Sequence, residues 1–227
     1  MKRYSIITPI YNKLIKKYTQ IKRERDERIL YPLRESFIKE LESYFRKDTS
    51  IISSNCFAGR IMQDLGMQYN TPTLGLYFWA PDYIEFLSSL QYYLTEAQLQ
   101  FVSHSKYPIG NERRKKWNHW YPIGTWGGKV EIQFLHYFTE EAAEKWYRRA
   151  GRVNWDKLFI VGMEQNLCTE KEIRDFDRLP FENKIFFSSK SLPELESNCF
   201  VDDFRDEGEV GDPYRKADVF YRELVKK

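Results

Sequence analysis

The chain has 227 residues, of which 42% are hydrophobic and 17% aromatic, enough to build the core of one large α/β domain. Its net charge of +3 is close to balanced, so the composition argues against nucleic-acid binding. The three cysteines have no metal-ligand spacing, which excludes a structural zinc motif, and their odd number favours a reducing compartment.

Residues 1–47 are predicted to form an N-terminal helical extension packed on the domain. Apolar residues recur at helical spacing from residue 11 to 45, with an interruption expected near Pro32. Residues 1–48 carry 13 Lys/Arg against 7 Asp/Glu, which predicts a solvated helix face or, alternatively, peripheral contact of residues 1–45 with an anionic membrane. Since signal-peptide and membrane-spanning patterns are absent, we expect a cytoplasmic protein, with the inner membrane face as the alternative location.

Strands and helices alternate through residues 48–190, which predicts an α/β core domain. The strand TSIISS leads through NCFAG into a helix, with Asn55 as its predicted cap and Gly59 allowing close backbone approach to a ligand. The strand TLGLYFW precedes a helix in which Asp82 and Glu85 have capping-box spacing.

The second half of the core begins after an irregular stretch, residues 106–129, that predicts a long surface loop or hairpin. Next come the strand KVEIQFLHY, a helix from Thr139, the strand DKLFIVGM, a helix with a capping box at Thr169 and Glu172, and the strand KIFFSS. Residues 191–227, with 6 Lys/Arg against 10 Asp/Glu, are predicted to be an acidic extension with a terminal helix near 216–226. The pattern indicates a three-layer α/β/α fold with a mainly parallel or mixed sheet.

Ligands of such sheets bind beyond the carboxyl ends of the strands. After the first strand and at the start of its helix, this rule selects Ser53, Asn55, Cys56 and Gly59. It also selects Asp82 at the start of the next helix and His136 at the end of a later strand. After the strand DKLFIVGM it selects Glu164, Gln165 and Asn166.

Cys56 and His136 are the candidate catalytic residues. A helix amino terminus lowers the pKa of a thiol, and a histidine can act as a general base toward that thiol or toward a substrate hydroxyl. The competing interpretations are a small buried cysteine and a core histidine that shares a strand face with Val130, Ile132 and Phe134. If the two strands run parallel, both side chains gather at one edge, and if they are antiparallel, the pair cannot form.

Two basic segments are candidates for phosphate binding. The run KWYRRAGRVN predicts that Arg148 and Arg152 lie one helical turn apart as an anion clamp, with Asn154 beside them, although ion pairs to Glu141 and Glu144 explain some of the same residues. The run RRKKWNHW, residues 113–120, mixes cations with aromatic rings that can stack on a base or sugar, and its alternative is a solvated loop.

Residues 48–190 contain Ser-Asn-Cys with a following Gly, Thr-Pro before a strand, Tyr-Pro-Ile-Gly, Leu-His-Tyr and Lys-Trp-x-Arg-Arg-x-x-Arg-x-Asn. With these motifs the segment resembles the bacterial DUF1919 family. Ser54 stands where members often have Asn, and Ala58 where they often have Gly. The resemblance implies an α/β/α fold and a gene context of capsule, exopolysaccharide and lipopolysaccharide synthesis, and it carries over no catalytic residue.

Together these features predict a cytoplasmic transferase of surface-polysaccharide biosynthesis, with O-acyl transfer to a sugar precursor as the leading reaction. One alternative is a sugar transferase with a nucleotide-sugar or lipid-linked donor, and another is a non-catalytic binding or assembly protein at the inner membrane face. No resident cofactor is evident, so the expected small molecules are the sugar precursor and an acyl-CoA or nucleotide-sugar donor. No metal site and no nucleic-acid partner are expected.

Overall fold

The computed structural model describes residues 7–117, 120–205 and 207–226, with side chains from residue 21 onward except those of residues 23, 117 and 140. The described helices are α1 (Ile7–Tyr44), α2 (Phe57–Asp64), α3 (Ala80–Ser88), α4 (Leu90–Thr95), α5 (Pro108–Trp117), α6 (Thr139–Ala150), α7 (Glu170–Asp177) and α8 (Ala217–Leu224). The described strands are β1 (Ser50–Ser53), β2 (Tyr77–Phe78), β3 (Leu99–Val102), β4 (Ile123–Trp126), β5 (Val130–Gln133), β6 (Leu158–Met163), β7 (Lys184–Ser188) and β8 (Asn198–Phe200).

A parallel sheet with strand order β1-β6-β7-β8 forms the centre of the domain. Successive residues of a strand face opposite sides, so Ile51 and Phe187 pack into one apolar core while Ile52 and Phe186 pack into another. The first core is closed by α1, α2 and α8, and the second by α3, α7 and the remaining strands. The predicted three-layer α/β fold is therefore confirmed.

A second sheet, antiparallel with order β2-β5-β4-β3, adjoins the carboxyl end of β1. The Phe78 N–H donates to the Ser54 carbonyl at 2.9 Å and links the two sheets. The expectation of a loop or hairpin at residues 106–129 is partly corrected. The stretch holds the helix α5 and the strand β4, which turns into β5 through Gly127 and Gly128, both at positive φ.

The N-terminal helix α1 is continuous through Pro32, so the expected interruption there is wrong. Tertiary packing outweighs the hydrogen bond that proline removes, because Ile38, Leu41 and Phe45 are buried in the first core. Residues 1–6, part of the predicted extension, lie outside the described residues. Neither α1 nor any other described helix has a stretch long and apolar enough to cross a bilayer.

The C-terminal residues contribute to both the sheet and its covering helices. The strand β8 pairs with β7 and was not predicted, whereas the helix predicted near 216–226 is present as α8. Phe220 and Tyr221 on α8 are buried against Phe57 of α2. Residues 191–227 therefore complete the first core.

Two predicted helix starts have different outcomes. The capping box of α7 is confirmed, because Thr169 and Glu172 exchange the expected backbone hydrogen bonds. The capping box at Asp82 is wrong, since α3 begins at Ala80 with Pro81 in its first turn, which places Asp82 inside the helix.

Four charged side chains meet where α1, α2 and α8 pack together. They are called the ion cluster here: Glu27, Arg34, Arg60 and Asp64. Asp64 accepts hydrogen bonds from Arg34 Nε at 2.8 Å and Arg60 Nε at 2.9 Å, and Glu27 binds both guanidinium groups. Tyr221 donates its hydroxyl to Asp64 at 2.8 Å. Burial alone would raise the pKa of Asp64, but the two arginines hold it below its ordinary value.

Candidate functional site

Polar side chains from three strands meet at the carboxyl edge of the parallel sheet. Ser54 and Asn55 follow β1, Glu164 to Asn166 follow β6, and Ser189 and Lys190 follow β7. Because these strands are parallel neighbours, the residues that follow them lie side by side, as the edge rule predicts.

Asn55 and Gln165 connect the ends of β1 and β6. Asn55 is 5% exposed, and its Nδ2 donates to Gln165 Oε1 at 2.9 Å while its Oδ1 accepts the Phe57 N–H at 3.0 Å. Gln165 Nε2 in turn donates to the carbonyls of Val210 at 2.9 Å and Gly211 at 2.8 Å. Asn55 thus binds the first N–H group of α2 from one residue before the cap position, which Cys56 occupies, and Gln165 links it to the loop at Val210 and Gly211.

Ser53 and Gly59 shape the turn at the start of α2. Ser53 Oγ accepts the Ala58 N–H at 3.1 Å and donates to the Asn55 carbonyl at 2.5 Å. Gly59 lies within α2, and a Cβ built there would contact the Leu74 side chain at 3.4 Å. The expectation that Gly59 brings the backbone close to a ligand is corrected, since its hydrogen faces the protein interior.

The thiol of Cys56 is held against the backbone at the first residue before α2. Its Sγ lies 3.7 Å from the Leu76 carbonyl. Burial is the main cause that raises the pKa of Cys56 to about 11, and the negative charge of Asp212 adds to it. The expected lowering of this pKa by the helix terminus is wrong, because desolvation outweighs the helix dipole. The thiol is therefore neutral at physiological pH and lines the edge.

His136 follows β5 and is exposed, so the expectation that it shares the face of Val130 on a longer strand is wrong. Its backbone N–H donates to the Gly75 carbonyl at 3.0 Å, one residue from the Leu76 carbonyl that contacts Cys56. His136 and Cys56 thus flank the same backbone segment. Cys56 and His136 follow strands of different sheets. The expectation that their pairing depends on whether the two strands are parallel therefore does not apply.

Asp82 lies on α3 and is buried among partners on β5 and the residues before α5. Its Oδ1 accepts hydrogen bonds from Lys106 Nζ at 2.7 Å and Tyr107 OH at 3.0 Å, and its Oδ2 accepts the Glu131 N–H at 2.8 Å. Burial raises the pKa of Asp82, and these donors only partly offset the effect. Each carboxylate oxygen is engaged, so Asp82 fixes the junction between α3 and the antiparallel sheet.

The predicted clamp residues Arg148, Arg152 and Asn154 lie away from the carboxyl edge. Arg148 pairs with Glu144 at 2.9 Å on α6, which ends at Ala150, so Arg152 is outside the helix. The Asn154 N–H donates to Ser50 Oγ at 2.8 Å, at the amino end of β1. The expectation that these three residues complete one site with Cys56 is therefore corrected.

Arg152 and Asn154 instead line an open depression of about 410 Å³ near the amino end of the parallel sheet. The other lining residues are Lys47, Asp48, Gln68 and Asn70. This depression and the carboxyl edge lie at opposite ends of β1.

Glu164 was noted only by its position in the sequence, and its partners were not predicted. Its Oε2 accepts hydrogen bonds from Ser188 Oγ at 2.9 Å and from the Ser189 N–H at 2.7 Å, and Lys190 Nζ lies 2.8 Å from its Oε1. Burial opposes its ionisation, but these partners hold the pKa of Glu164 below its ordinary value. The polar run SSK directly after an apolar strand is the sequence signal that would have identified these partners.

Asn166 and Leu167 have left-handed backbone conformations, with φ of 55° and 67°. Arg113 Nη1 donates to Asn166 Oδ1 at 2.7 Å, and the Asn166 carbonyl accepts the Ala80 N–H at 2.9 Å. Such backbone is costly for residues other than glycine and is concentrated at functional sites. The run RRKKWNHW thus contributes Arg113 to the carboxyl edge, while residues 118 and 119 lie outside the described residues.

Comparison with known proteins identifies one matching family model and a relative of similar sequence. The family model described as a domain of unknown function, DUF1919, matches residues 33–227. An uncharacterized protein of Haemophilus influenzae is 36% identical over 165 residues, which cover 72% of this chain and 72% of that relative.

Proposed function

The chain belongs to the DUF1919 family, and from this membership we propose that it is a transferase of bacterial surface-polysaccharide biosynthesis. Its substrate is a sugar precursor that binds at the carboxyl edge of the parallel sheet. The gene context that the resemblance implies supports the pathway, and the polar edge supports the substrate class. The enzyme acts in the cytoplasm, where activated sugar precursors are made.

The observation that carries this proposal is the left-handed backbone at Asn166 and Leu167. This conformation costs Leu167 about 1–2 kcal/mol, whereas asparagine adopts it more readily, and functional sites retain such a cost. Both residues follow β6, whose carboxyl terminus is flanked by the amides of Asn55 and Gln165. Amide and hydroxyl groups of this kind are the partners that sugar hydroxyls require.

The leading reaction is direct O-acyl transfer from an acyl-CoA to a sugar hydroxyl. In this reaction His136 accepts the hydroxyl proton, the sugar oxygen bonds to the acyl carbon, and the thioester C–S bond breaks. The departing thiolate of coenzyme A then takes up the proton. A covalent step through Cys56 is disfavoured, because at a pKa of about 11 the thiol is rarely ionised near neutral pH.

The test compares single variants in cells that lack the chromosomal copy of the gene. We expect His136→Ala to lower polysaccharide modification by at least ~100-fold, as general-base removal does, and Cys56→Ala to lower it by less than ~10-fold. His104→Ala is the matched control, because His104 is also exposed but lies after β3. A double variant lacking both Cys56 and His136 that retains full modification contradicts the proposal.

The donor is identified by calorimetric titration of the whole protein with acyl-CoA and nucleotide-sugar panels. Saturable binding of acyl-CoA supports acyl transfer. Binding of nucleotide-sugars alone shifts the assignment to sugar transfer, in which the same edge holds the acceptor.

A second candidate function is assembly at the inner membrane face, and the surface of α1 favours it. Ile21, Ile29 and Leu33 are each more than half exposed, and Lys22 and Arg25 lie beside them. Exposed apolar and basic residues on one helix are typical of peripheral membrane binding. Of the segment proposed for this contact, residues 1–6 and the side chains of 7–20 lie outside the description.

This candidate predicts binding to anionic vesicles that high salt abolishes. Replacing Ile29 and Leu33 by Gln should remove co-sedimentation with phosphatidylglycerol vesicles, whereas the control Ile109→Gln, an exposed isoleucine of α5, should not. Equal sedimentation of all variants rules out contact through α1.

A further inference from the structure

Arg114 on α5 is a buried cation that forms no ion pair with any described carboxylate. It is 7% exposed, and its Nη1 donates to the Ser103 carbonyl at 2.9 Å. Its Nε and Nη2 have no hydrogen-bond partner among the described residues. Burial lowers the pKa of this guanidinium, yet arginine stays protonated in proteins. An unpaired buried charge is costly, so its retention indicates a bound anion.

The surroundings of Arg114 supply further polar groups for such an anion. Tyr121, whose ring centroid lies 5.4 Å from the guanidinium carbon, has its hydroxyl 3.0 Å from that of Tyr77. Gln133 is the cross-strand partner of Tyr77, is fully buried, and leaves its Oε1 without a partner among the described residues. Its Nε2 already donates to Glu131, so Gln133 borders the tyrosine pair as a buried polar neighbour and does not itself donate to the anion.

Glu131 is the carboxylate whose charge acts on Arg114, and both of its oxygens already accept hydrogen bonds from other groups. One oxygen accepts from Ser105 Oγ and from Gln133 Nε2, and the other accepts the Lys106 N–H at 2.8 Å. Described contacts include no ion pair between Glu131 and Arg114. The cation thus retains its capacity for an external anion.

A second arginine borders the same tyrosine pair. Arg113 lies 5.3 Å from the Tyr77 ring centroid and 4.8 Å from that of Trp79, while Arg114 lies 3.7 Å from the ring centroid of Trp120. Trp120 is 70% exposed, so the outer wall of the cluster faces solvent. Two cations flanked by aromatic rings match a diphosphate joined to a ring-bearing group.

We propose that Arg113 and Arg114 bind the diphosphate of the transferase donor. This inference rests on the proposed function only for the identity of the donor. A diphosphate is common to acyl-CoA, to nucleotide-sugars and to lipid-linked sugars, so the site serves any of the three. Arg113 also contacts Asn166, which connects the site to the carboxyl edge.

The test titrates the whole protein with inorganic pyrophosphate at constant ionic strength and follows tryptophan fluorescence and calorimetric heat. We expect saturable binding in the natural protein and at least tenfold weaker binding in Arg114→Met. The matched control is Lys115→Met, which removes the same charge from an exposed position of α5 and should change the affinity less than twofold.

Two further variants keep the test decisive if Arg114→Met does not fold. Arg114→Lys retains the charge but not the paired donors, and Gln133→Glu adds a negative charge, so each should weaken binding at least tenfold. Absence of saturation in the natural protein, or equal weakening by Arg114→Met and Lys115→Met, overturns the proposal.

Parallel titrations with coenzyme A, UDP and farnesyl diphosphate distinguish the sources of the diphosphate. Tighter binding of any of them than of pyrophosphate supports the site and identifies its donor class. Because pyrophosphate binding requires no turnover, the site stands if it binds pyrophosphate but no transfer is found. The transferase proposal stands, conversely, if transfer occurs without such binding.

Discussion

Two regions of this protein bury arginine side chains, and they differ in whether the buried charge has an ion-pair partner. In the ion cluster, Arg34 and Arg60 are 1% exposed and share the carboxylates of Asp64 and Glu27. Beside the antiparallel sheet, Arg114 is almost as buried, but it forms no ion pair within the part of the chain that the structure describes, and the charge of Glu131 acts on it only from a distance. The first arrangement is complete within the chain, whereas the second gains a partner only from outside.

This difference separates a structural role from a binding role for the same residue type. A buried ion pair that is complete holds α1, α2 and α8 in register and has no capacity for a ligand. A buried cation without a counter-charge costs stability in the free protein, and a ligand can repay that cost. The first two tests below act on these two regions, and the last two act on the carboxyl edge.

The largest effect is expected from breaking the ion cluster. Asp64→Ala should lower the free energy of unfolding by about 3–5 kcal/mol, because it strips both arginines of their shared carboxylate. Urea denaturation measures it. Arg114→Met should cost far less or stabilise the free protein, since no internal pair is lost. A similar large loss in both variants would erase the contrast between the two regions.

The same cluster predicts the response to acid. Since the pKa of Asp64 is lowered in the folded state, its stabilisation is complete above the unfolded pKa near 3.8 and is lost as the pH falls through the folded value. Stability measured from pH 6 down to pH 2 should therefore fall below about pH 4 in the natural protein. It should fall less steeply in Asp64→Asn.

The next effect concerns thiol reactivity at the carboxyl edge. A pKa raised from 9.0 to about 11 leaves roughly 100-fold less thiolate at neutral pH, so alkylation of Cys56 by iodoacetamide should be slower by about that factor than for a free thiol. Mass spectrometry of the Cys56 peptide at pH 7 and pH 10 measures the rate. Rapid labelling at pH 7 would return Cys56 to consideration as the nucleophile.

The smallest effect is expected at Leu167, the strained residue that follows Asn166. Leu167→Gly should be more stable than Leu167→Ala by about 1 kcal/mol, because only glycine adopts a positive φ without steric cost. Both variants lose the same 40% exposed side chain, so the comparison isolates the backbone. Thermal melting measures the difference, and equal melting temperatures would argue against strain at the edge.

Three strands of the parallel sheet, β1, β6 and β7, were predictable from sequence because they are almost entirely buried and bounded by helices with clear patterns, whereas β8 was not predicted. TSII and LFIVGM are continuous apolar runs, and Thr169 with Glu172 marks a helix start unambiguously. The strands β3 and β4 were not predictable. The β3 residues are half exposed or exposed, and β4 is a short segment between prolines, glycines and tryptophans, so neither carries a periodic signal.

The candidate site was predictable only in part. The edge rule located Asn55, Gln165 and Asn166, because it depends on chain direction alone. It could not include Arg152 or Asn154, which follow a helix and precede β6, and so lie where the chain has returned to the amino edge. The burial of Arg114 and the partial burial of Cys56 depend on contacts between distant segments, which local patterns do not encode.

The pairing of β1 with β6 has a consequence for how the protein is made. The edge strand β1 and its neighbour β6 are separated by more than 100 residues, and β8 and α8 follow later still. A nascent chain that ends before β6 leaves β1 without its neighbour. The hydrogen bonds from Gln165 to Val210 and Gly211 can form only after the final segment has been synthesised. High contact order of this kind slows folding. The ribosome must therefore release nearly the whole chain before its candidate site can assemble.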